Sequence, residues 1–163
     1  MVDITRQQKI DSYGQAHAVL TEALKNFRRD MWKFRPAEGW SIHEIICHIT
    51  DAEARGYFRL RKFLAEPGSA IMLYDQPGWA THLHYQDQST DDALALFQML
   101  RKSNHALITT MPDSAWANTV EHPSRGTVSM EWFLDTYEGH VPAHIRQMQG
   151  VYDEWHRSKA KED

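Results

Sequence analysis

Apolar and semi-polar residues recur in alternating steps of three and four through the first segment of the chain. The repeating positions are Ile10, Tyr13, His17, Leu20, Leu24, Phe27 and Met31. Steps of three and four place side chains on one face of an α-helix. The pattern therefore predicts a first helix whose buried stripe extends to Met31.

A capping box predicts where the second helix starts. The Ser41 hydroxyl can accept a hydrogen bond from a free backbone amide, and Glu44 can reach back to the amide of Ser41. Apolar positions then continue to Phe63, and Pro67-Gly68 ends the helix.

The segment 66–88 has no helical period and is longer than the loops that compact domains usually contain without a function. It carries Trp79, and it carries His82 and His84, which we expect on its surface. A loop of this kind suits a lid over a small-molecule pocket.

Two further helices and a hairpin are predicted in the second half. The third helix begins near Thr90, and its expected buried positions are Ala93, Leu96 or Phe97, Leu100, Leu107 and Met111. Prolines and Gly126 interrupt the next segment and predict a short hairpin around 122–126. The fourth helix begins within 127–129, and its inward stripe is Phe133, Tyr137, His140, His144, Met148, Val151 and Trp155.

The chain of 163 residues has the size of one domain. With no repeat or linker visible, the elements predict an all-α fold, a four-helix bundle with long crossover connections. We expect this single domain to cover 1–155 and a frayed, solvated tail to follow over 156–163.

Composition narrows the classes of function. The lone Cys47 cannot form an internal disulfide or a multi-cysteine metal site. A net charge of −4 without a basic stripe disfavours nucleic-acid partners. No apolar run approaches the roughly 20 residues of a membrane span, and the first residues do not resemble a secretion signal. We therefore expect a cytoplasmic protein.

The chain contains ten histidines, and two of them fall at the centre of an apolar stripe. His140 and His144 are four residues apart, a spacing at which two imidazoles on a helix can share a metal ion. Two histidines four residues apart occur often by chance, so the spacing alone is weak evidence for a metal site. The position of the pair in an apolar stripe is stronger evidence, because a lone buried imidazole costs about 1 to 3 kcal/mol unless a hydrogen bond or a metal ion satisfies it.

A third histidine, His48, lies on the flank of the second helix's apolar face, in line with Ile45, Ala52 and Gly56. Each histidine by itself could be a core residue bonded to a neighbour. Together, three imidazoles from two helices predict one divalent metal site with coordination positions left for water or substrate.

Other candidate ligands fit less well. His43-Glu44 begins a zinc-protease motif, but Cys47 stands where its second histidine should be. His43 and Cys47 are themselves four apart, yet they lie about 100° around the helix from His48. His17 is either a core histidine, a fourth ligand or a partner of a ligand.

The motif W-S-I-x-E-x-x-x-H ending at His48 and the motif G-H-V-P-A-H-I-R-Q-M around His140 and His144 resemble the DinB and YfiT-like family. The resemblance implies a four-helix bundle in which these three histidines bind a divalent metal. Members with known activities are thiol transferases and isomerases that use bacillithiol, mycothiol or glutathione, and some relatives are named hydrolases. Pro142, inside H-V-P-A-H, departs from the family pattern.

Three hypotheses about function follow. The first is a metal-dependent thiol S-transferase that presents a small thiolate to an electrophile. The second is a metal-dependent hydrolase with Asp51 or Glu53 as its candidate base, although we expect both carboxylates to be solvated helix charges. The third is a non-catalytic, stress-related bundle that a metal stabilises. We expect zinc or nickel as the ion. A low-molecular-weight thiol is the expected small-molecule partner. Assembly into a homodimer is an open alternative to a monomer.

Overall fold

The computed structural model describes residues 5–160, which form four long helices, one short helix and one β-hairpin. The helices are α1 (Arg6–Leu24), α2 (Ile42–Ala65), α3 (Gln76–His82), α4 (Thr90–Thr110) and α5 (Met130–Lys159). The hairpin consists of β1 (Thr119–His122) and β2 (Gly126–Ser129), which pair antiparallel just before α5. None of the described helices is long and apolar enough to cross a membrane.

The long helices form the predicted four-helix bundle. α1 packs against α4 and α5, and α2 packs against the same two helices. Helices α1 and α2 thus occupy opposite corners although they are consecutive in the chain. The connections must cross the ends of the bundle, which explains why they are long.

Two apolar clusters fill the bundle, and polar side chains occupy the helix positions between them. One cluster includes Leu20, Phe97 and Met148, and the other includes Phe63 and Phe133. The buried polar residues at intermediate positions are Glu53, Arg101 and Asn104, and His48 lies on α2 one to two turns before Glu53. This polar layer places the functional candidates at mid-height in the bundle.

The capping box predicted for α2 is present. The backbone amide of Glu44 donates to the Ser41 hydroxyl at 3.2 Å, and the amide of Ser41 donates to the Glu44 carboxylate at 2.9 Å. Two otherwise free amides are satisfied by two side chains that are three residues apart. This local chemistry determines where α2 begins and so where His48 lies along it.

Helix α1 is shorter than its hydrophobic pattern predicts. It ends at Leu24, and the amides of Asn26 and Phe27 bond to carbonyls three residues earlier rather than four. The last two positions of the stripe, Phe27 and Met31, are nevertheless buried. The predicted apolar face thus stays buried at these two positions, although the backbone there is no longer α-helical.

The segment 66–88 was expected to lack helical structure, and that expectation is wrong. Helix α3 lies within it, capped by the Asp75 carboxylate, which accepts from the Gly78 amide at 3.1 Å. Proline at Pro77 suits this first turn because its missing amide would have no helical partner. The helix has only seven residues, too few for a visible period.

Helix α4 buries only part of the expected set, in which Ala93 and Phe97 are buried as predicted. Of the two alternatives, Phe97 is buried and Leu96 is exposed. The expected positions Leu100, Leu107 and Met111 are only partly buried, whereas the buried face continues through Arg101, Asn104 and Ile108. Two of these three are polar, so hydrophobicity could not identify the face.

The hairpin was predicted correctly and has a neighbour that was not predicted. Backbone bonds join Ile71 and Glu121 at 2.9 Å, so the chain after α2 runs beside β1. This anchors the segment leading to Tyr74 against the bundle. At the other end of the domain, α5 continues to Lys159, so the expected tail over 156–163 is helical in its first part, and 161–163 lie outside the described residues.

Candidate metal centre

Helices α2 and α5 bring the three predicted histidines together. His48, His140 and His144 each offer one ring nitrogen, and these nitrogens lie within 4.8 Å of one another. The Nε2 atoms of His140 and His144 are 3.2 Å apart, as expected for imidazoles one turn apart on α5. The three rings therefore form one cluster that could hold a metal ion.

Neighbouring side chains orient two of these rings. The Tyr74 hydroxyl lies 3.2 Å from His48 Nδ1, and Trp40 packs on the same ring at a centroid distance of 4.8 Å. The Gln147 amide oxygen lies 2.8 Å from His144 Nδ1. An amide oxygen only accepts, so His144 Nδ1 donates to Gln147 and the tautomer that this selects leaves His144 Nε2 free to bind a metal.

The cluster is neutral over a wide pH range. Burial lowers the pKa of His48 to about 3 and the pKa of His140 to about 2, with smaller contributions from the charges of His144 and Arg55. Burial also lowers the pKa of His144, and Gln147 opposes that shift. Neutral imidazole is the form that binds metal, so these residues fit a divalent ion.

We expect metal-free protein to lose stability as pH falls below about 6.5. An unfolded histidine titrates near pH 6.5, whereas folded His48 and His140 titrate near 3 and 2, so protons bind the unfolded state first. The stability these rings contribute is complete above about pH 6.5 and is lost as pH falls towards the folded values. Each ring contributes a slope of about 1.4 kcal/mol per pH unit within that window.

Urea denaturation of chelator-treated protein between pH 7 and pH 4.5 would measure this slope. A His140→Gln variant is the matched comparison, because it keeps a polar side chain of similar reach and removes one titrating ring. Its free energy of unfolding should fall less steeply than that of the wild type. Equal slopes would contradict the assignment of a depressed pKa to His140.

Pro142 lies between the two α5 ligands without interrupting the helix. α5 runs continuously from Met130 to Lys159 through this proline. The missing amide leaves the carbonyl four residues earlier, at Glu138, without its helical donor. The departure from the family motif thus does not separate His140 from His144.

The other candidate ligands lie apart from the cluster. His17 packs on Phe97 with ring centroids 6.1 Å apart, as a core histidine would. Cys47 is buried, its sulfur lies 3.7 Å from the Tyr85 carbonyl oxygen, and burial raises the pKa of its thiol to about 11. Among the described residues, neither these two nor His43 belongs to a group that could hold a metal.

The expectation that Asp51 and Glu53 are solvated helix charges is wrong, and the two carboxylates occupy different surroundings. Glu53 is buried and accepts hydrogen bonds from Tyr13 at 2.8 Å, Arg101 at 2.7 Å and Asn104 at 3.2 Å, so it is a structural ion-pair partner. Asp51 is partly buried and accepts from the Tyr85 hydroxyl. Burial raises the pKa of Asp51, and that hydrogen bond opposes the shift.

Sequence reasoning missed three residues around the cluster: Tyr74, Gln147 and Arg55. Gln147 follows His144 by three residues on one helix, a spacing that could have identified it. Arg55 follows His48 by seven residues on α2, which also places the two near one helix face. Tyr74 could not be found this way, because it reaches the cluster only through the path of the loop. The guanidinium of Arg55 lies 3.9 Å over the Tyr74 ring, which connects both to His48.

The sequence and the fold place this chain in a known superfamily. The sequence profile of the DinB superfamily matches residues 12–148. The chain therefore belongs to the DinB superfamily, as the two motifs predicted.

Two curated relatives carry the provisional name of metal-dependent hydrolase. YfiT of Bacillus subtilis is 28% identical over 108 residues, which cover 66% of this chain and 61% of YfiT. A protein of Oceanobacillus iheyensis is 26% identical over 113 residues, covering 69% of this chain and 65% of the relative. The aligned region thus spans less than two thirds of either relative.

The solved structure of Bacillus subtilis YfiT shares the fold. Its TM-score is 0.81 at 24% sequence identity, and the match covers 93% of this chain and 89% of YfiT. YfiT is described as having an unusual four-helix bundle topology. In the four-helix bundle of this chain, α1 and α2 lie diagonally opposite each other.

Proposed function

We propose that the protein is a metal-dependent enzyme that holds one divalent ion, zinc or nickel, with His48, His140 and His144 and acts on a small molecule. The observation that carries the proposal is the convergence of three neutral imidazole nitrogens from α2 and α5 within 4.8 Å. Three protein ligands leave coordination positions for a substrate, whereas closed structural sites use four.

Thiol S-transfer is the proposed reaction. A divalent ion bound there would lower the pKa of a small thiol and favour its thiolate. The protein's own residues then need only position the reactants. Tyr74 and Gln147 hold the rings of His48 and His144. The thiol would lose its proton to solvent water, and its thiolate would displace a leaving group from the electrophile, so the reaction would not need Glu53, which is occupied by Arg101.

Hydrolysis is the second candidate, and the names of the relatives favour it. A hydrolase would need a group to accept a proton from water. Asp51 is the remaining carboxylate of the two predicted, and its raised pKa would suit a base that works closer to neutral pH. It would first have to release the hydroxyl of Tyr85.

Cobalt(II) substitution tests the transferase reaction. Colour reports the ligands of this ion, and a thiol that binds as thiolate should add a sulfur charge-transfer band in the near ultraviolet. The test belongs in a Cys47→Ser background, which removes the one protein thiol. Bacillithiol, glutathione and mercaptoethanol at millimolar concentration are the probes, and we expect at least one to produce the band.

The same titration in a Cys47→Ser/His140→Ala protein is the control, and it should give no band. A spectrum that none of the three thiols changes would contradict thiol binding. Hydrolysis would then become the better account, or a metal that only stabilises the bundle.

A further inference from the structure

A cavity of about 310 Å³ adjoins the histidine cluster. α2 forms one wall with Arg55, Phe58 and Arg59, and the loop after α2 forms the other with Tyr74 and Trp79. The Tyr74 hydroxyl reaches His48 Nδ1 at 3.2 Å, so this side chain belongs to both the cavity and the cluster. The volume is at the lower end of the range for small-molecule sites.

Arg59 is a buried cation that has no acidic partner among residues 5–160. Its residue is only 3% exposed, and its Nε atom has no hydrogen-bond partner in that part of the chain. The terminal nitrogens donate to the Met72 carbonyl at 2.9 Å and to the Tyr137 hydroxyl at 3.5 Å, both neutral groups. A buried charge is costly unless an opposite charge compensates it.

Arg55 adds a second cation on the same side of α2, one turn earlier. Its Nε is also buried without a partner, and its guanidinium stacks on Tyr74. Within residues 5–160 neither arginine takes part in an ion pair with a carboxylate, whereas the nearby Lys62 is paired with Glu66. Like charges one turn apart repel, and the nearby charge of Arg55 adds to the effect of burial in lowering the pKa of Arg59.

Both walls of the cavity also carry large apolar side chains that are open to solvent. Phe58 on α2 is 56% exposed, and Leu73 and Trp79 on the loop are 52% and 37% exposed. A ligand that matches this cavity needs a negative group at the arginines and an apolar body against these three side chains.

We propose that the cavity is the binding site for a small organic carboxylate, with its acid group on Arg55 and Arg59 and its apolar part on Phe58, Leu73 and Trp79. The planar guanidinium fork matches a carboxylate in two parallel hydrogen bonds. This inference rests on the proposed function in one respect, since it makes the acid the second substrate of the metal centre. Tyr74 lines the cavity and its hydroxyl contacts His48, so an acid bound there would lie one side chain away from the cluster.

Calorimetric titration with 2-naphthylacetate and with its neutral amide, 2-naphthylacetamide, tests the site. The two probes share one apolar body and differ in charge. We expect the acid to bind more tightly than the amide, and Arg55→Gln to weaken the acid roughly ten- to hundredfold while changing the amide little. Arg55→Lys should recover part of the loss, because it restores the charge without the fork.

Arg157→Gln is the matched control, since it removes an exposed arginine near the end of α5 and should leave both affinities unchanged. Melting curves of Arg55→Gln must match the wild type for the comparison to count, and the partial exposure of Arg55 makes this the expected result. Equal binding of acid and amide, or equal acid affinity in Arg55→Gln and Arg157→Gln, would overturn the proposal.

Titrations before and after chelation separate this inference from the proposed function. Acid binding that survives chelation and still depends on Arg55 supports the carboxylate site even if no metal-dependent activity is found. Acid binding that disappears on chelation and is unchanged by Arg55→Gln would mean that the anion binds the metal, and it would overturn the proposed carboxylate site.

Discussion

Single replacement of His48, His140 or His144 with alanine is expected to remove most of the metal from the purified protein. Each ring supplies one of three converging nitrogens, so each variant loses a ligand outright. Removing a residue that only orients a metal ligand lowers metal affinity about ten- to hundredfold. Removing the ligand itself should therefore lower metal affinity by more than about a hundredfold. Mass spectrometry of the metal content, with protein purified without added metal, would measure the effect.

His17→Ala and His105→Ala are the controls, because each removes a histidine from the same bundle but outside the cluster. Both should retain the wild-type metal content. The metal-free melting temperature separates ligand loss from misfolding, since the three rings are neutral and their removal leaves no buried charge. Full metal retention by His48→Ala would refute the proposed centre.

The largest stability effect is expected from breaking the buried ion pair between Arg101 and Glu53. Arg101 is 2% exposed and Glu53 is 1% exposed, and their charged atoms are 2.7 Å apart. Arg101 also donates to the carbonyls of Tyr13 and Tyr137, which joins α4 to α1 and α5. Arg101→Met would leave an uncompensated buried carboxylate and should cost about 3 to 5 kcal/mol of unfolding free energy in urea.

A double variant, Arg101→Met with Glu53→Gln, distinguishes the lost charge pair from lost packing. It removes both charges, so it should be more stable than Arg101→Met alone. Lys25→Met is the surface control, since its pair with Glu22 is exposed on both sides and should matter little. If the double variant were no more stable than the single one, the cost would come from packing instead of charge.

The start of α2 and the metal cluster could be predicted from the sequence because both depend on short spacings. The Ser41 capping box uses two side chains three residues apart, and the pair His140 and His144 uses one helical turn. Adding His48 required only that two apolar stripes face one core. Such relations hold for any well-formed bundle, so the periodicity of the chain was enough to choose these residues.

Polar burial could not be predicted in the same way. Arg101 and Asn104 are polar and were not among the expected buried positions of α4. They lie in the core because they bond to Glu53, which faces them from α2. The expected stripe on α4 therefore included Leu100, which is only partly buried. A charge can be buried only when its partner arrives from another helix, and that pairing has no local signature.

By itself, the sequence determined the class of fold, the capped start of α2, the hairpin and the three converging histidines, because each follows from side chains a few residues apart or from one repeating face. The tertiary structure alone decided that Glu53 is closed off by Arg101 and that Tyr74 joins His48 to a cavity lined by arginines. These features depend on contacts between segments far apart in the chain. Their energies arise only when the folded chain removes the charged and apolar groups from water together.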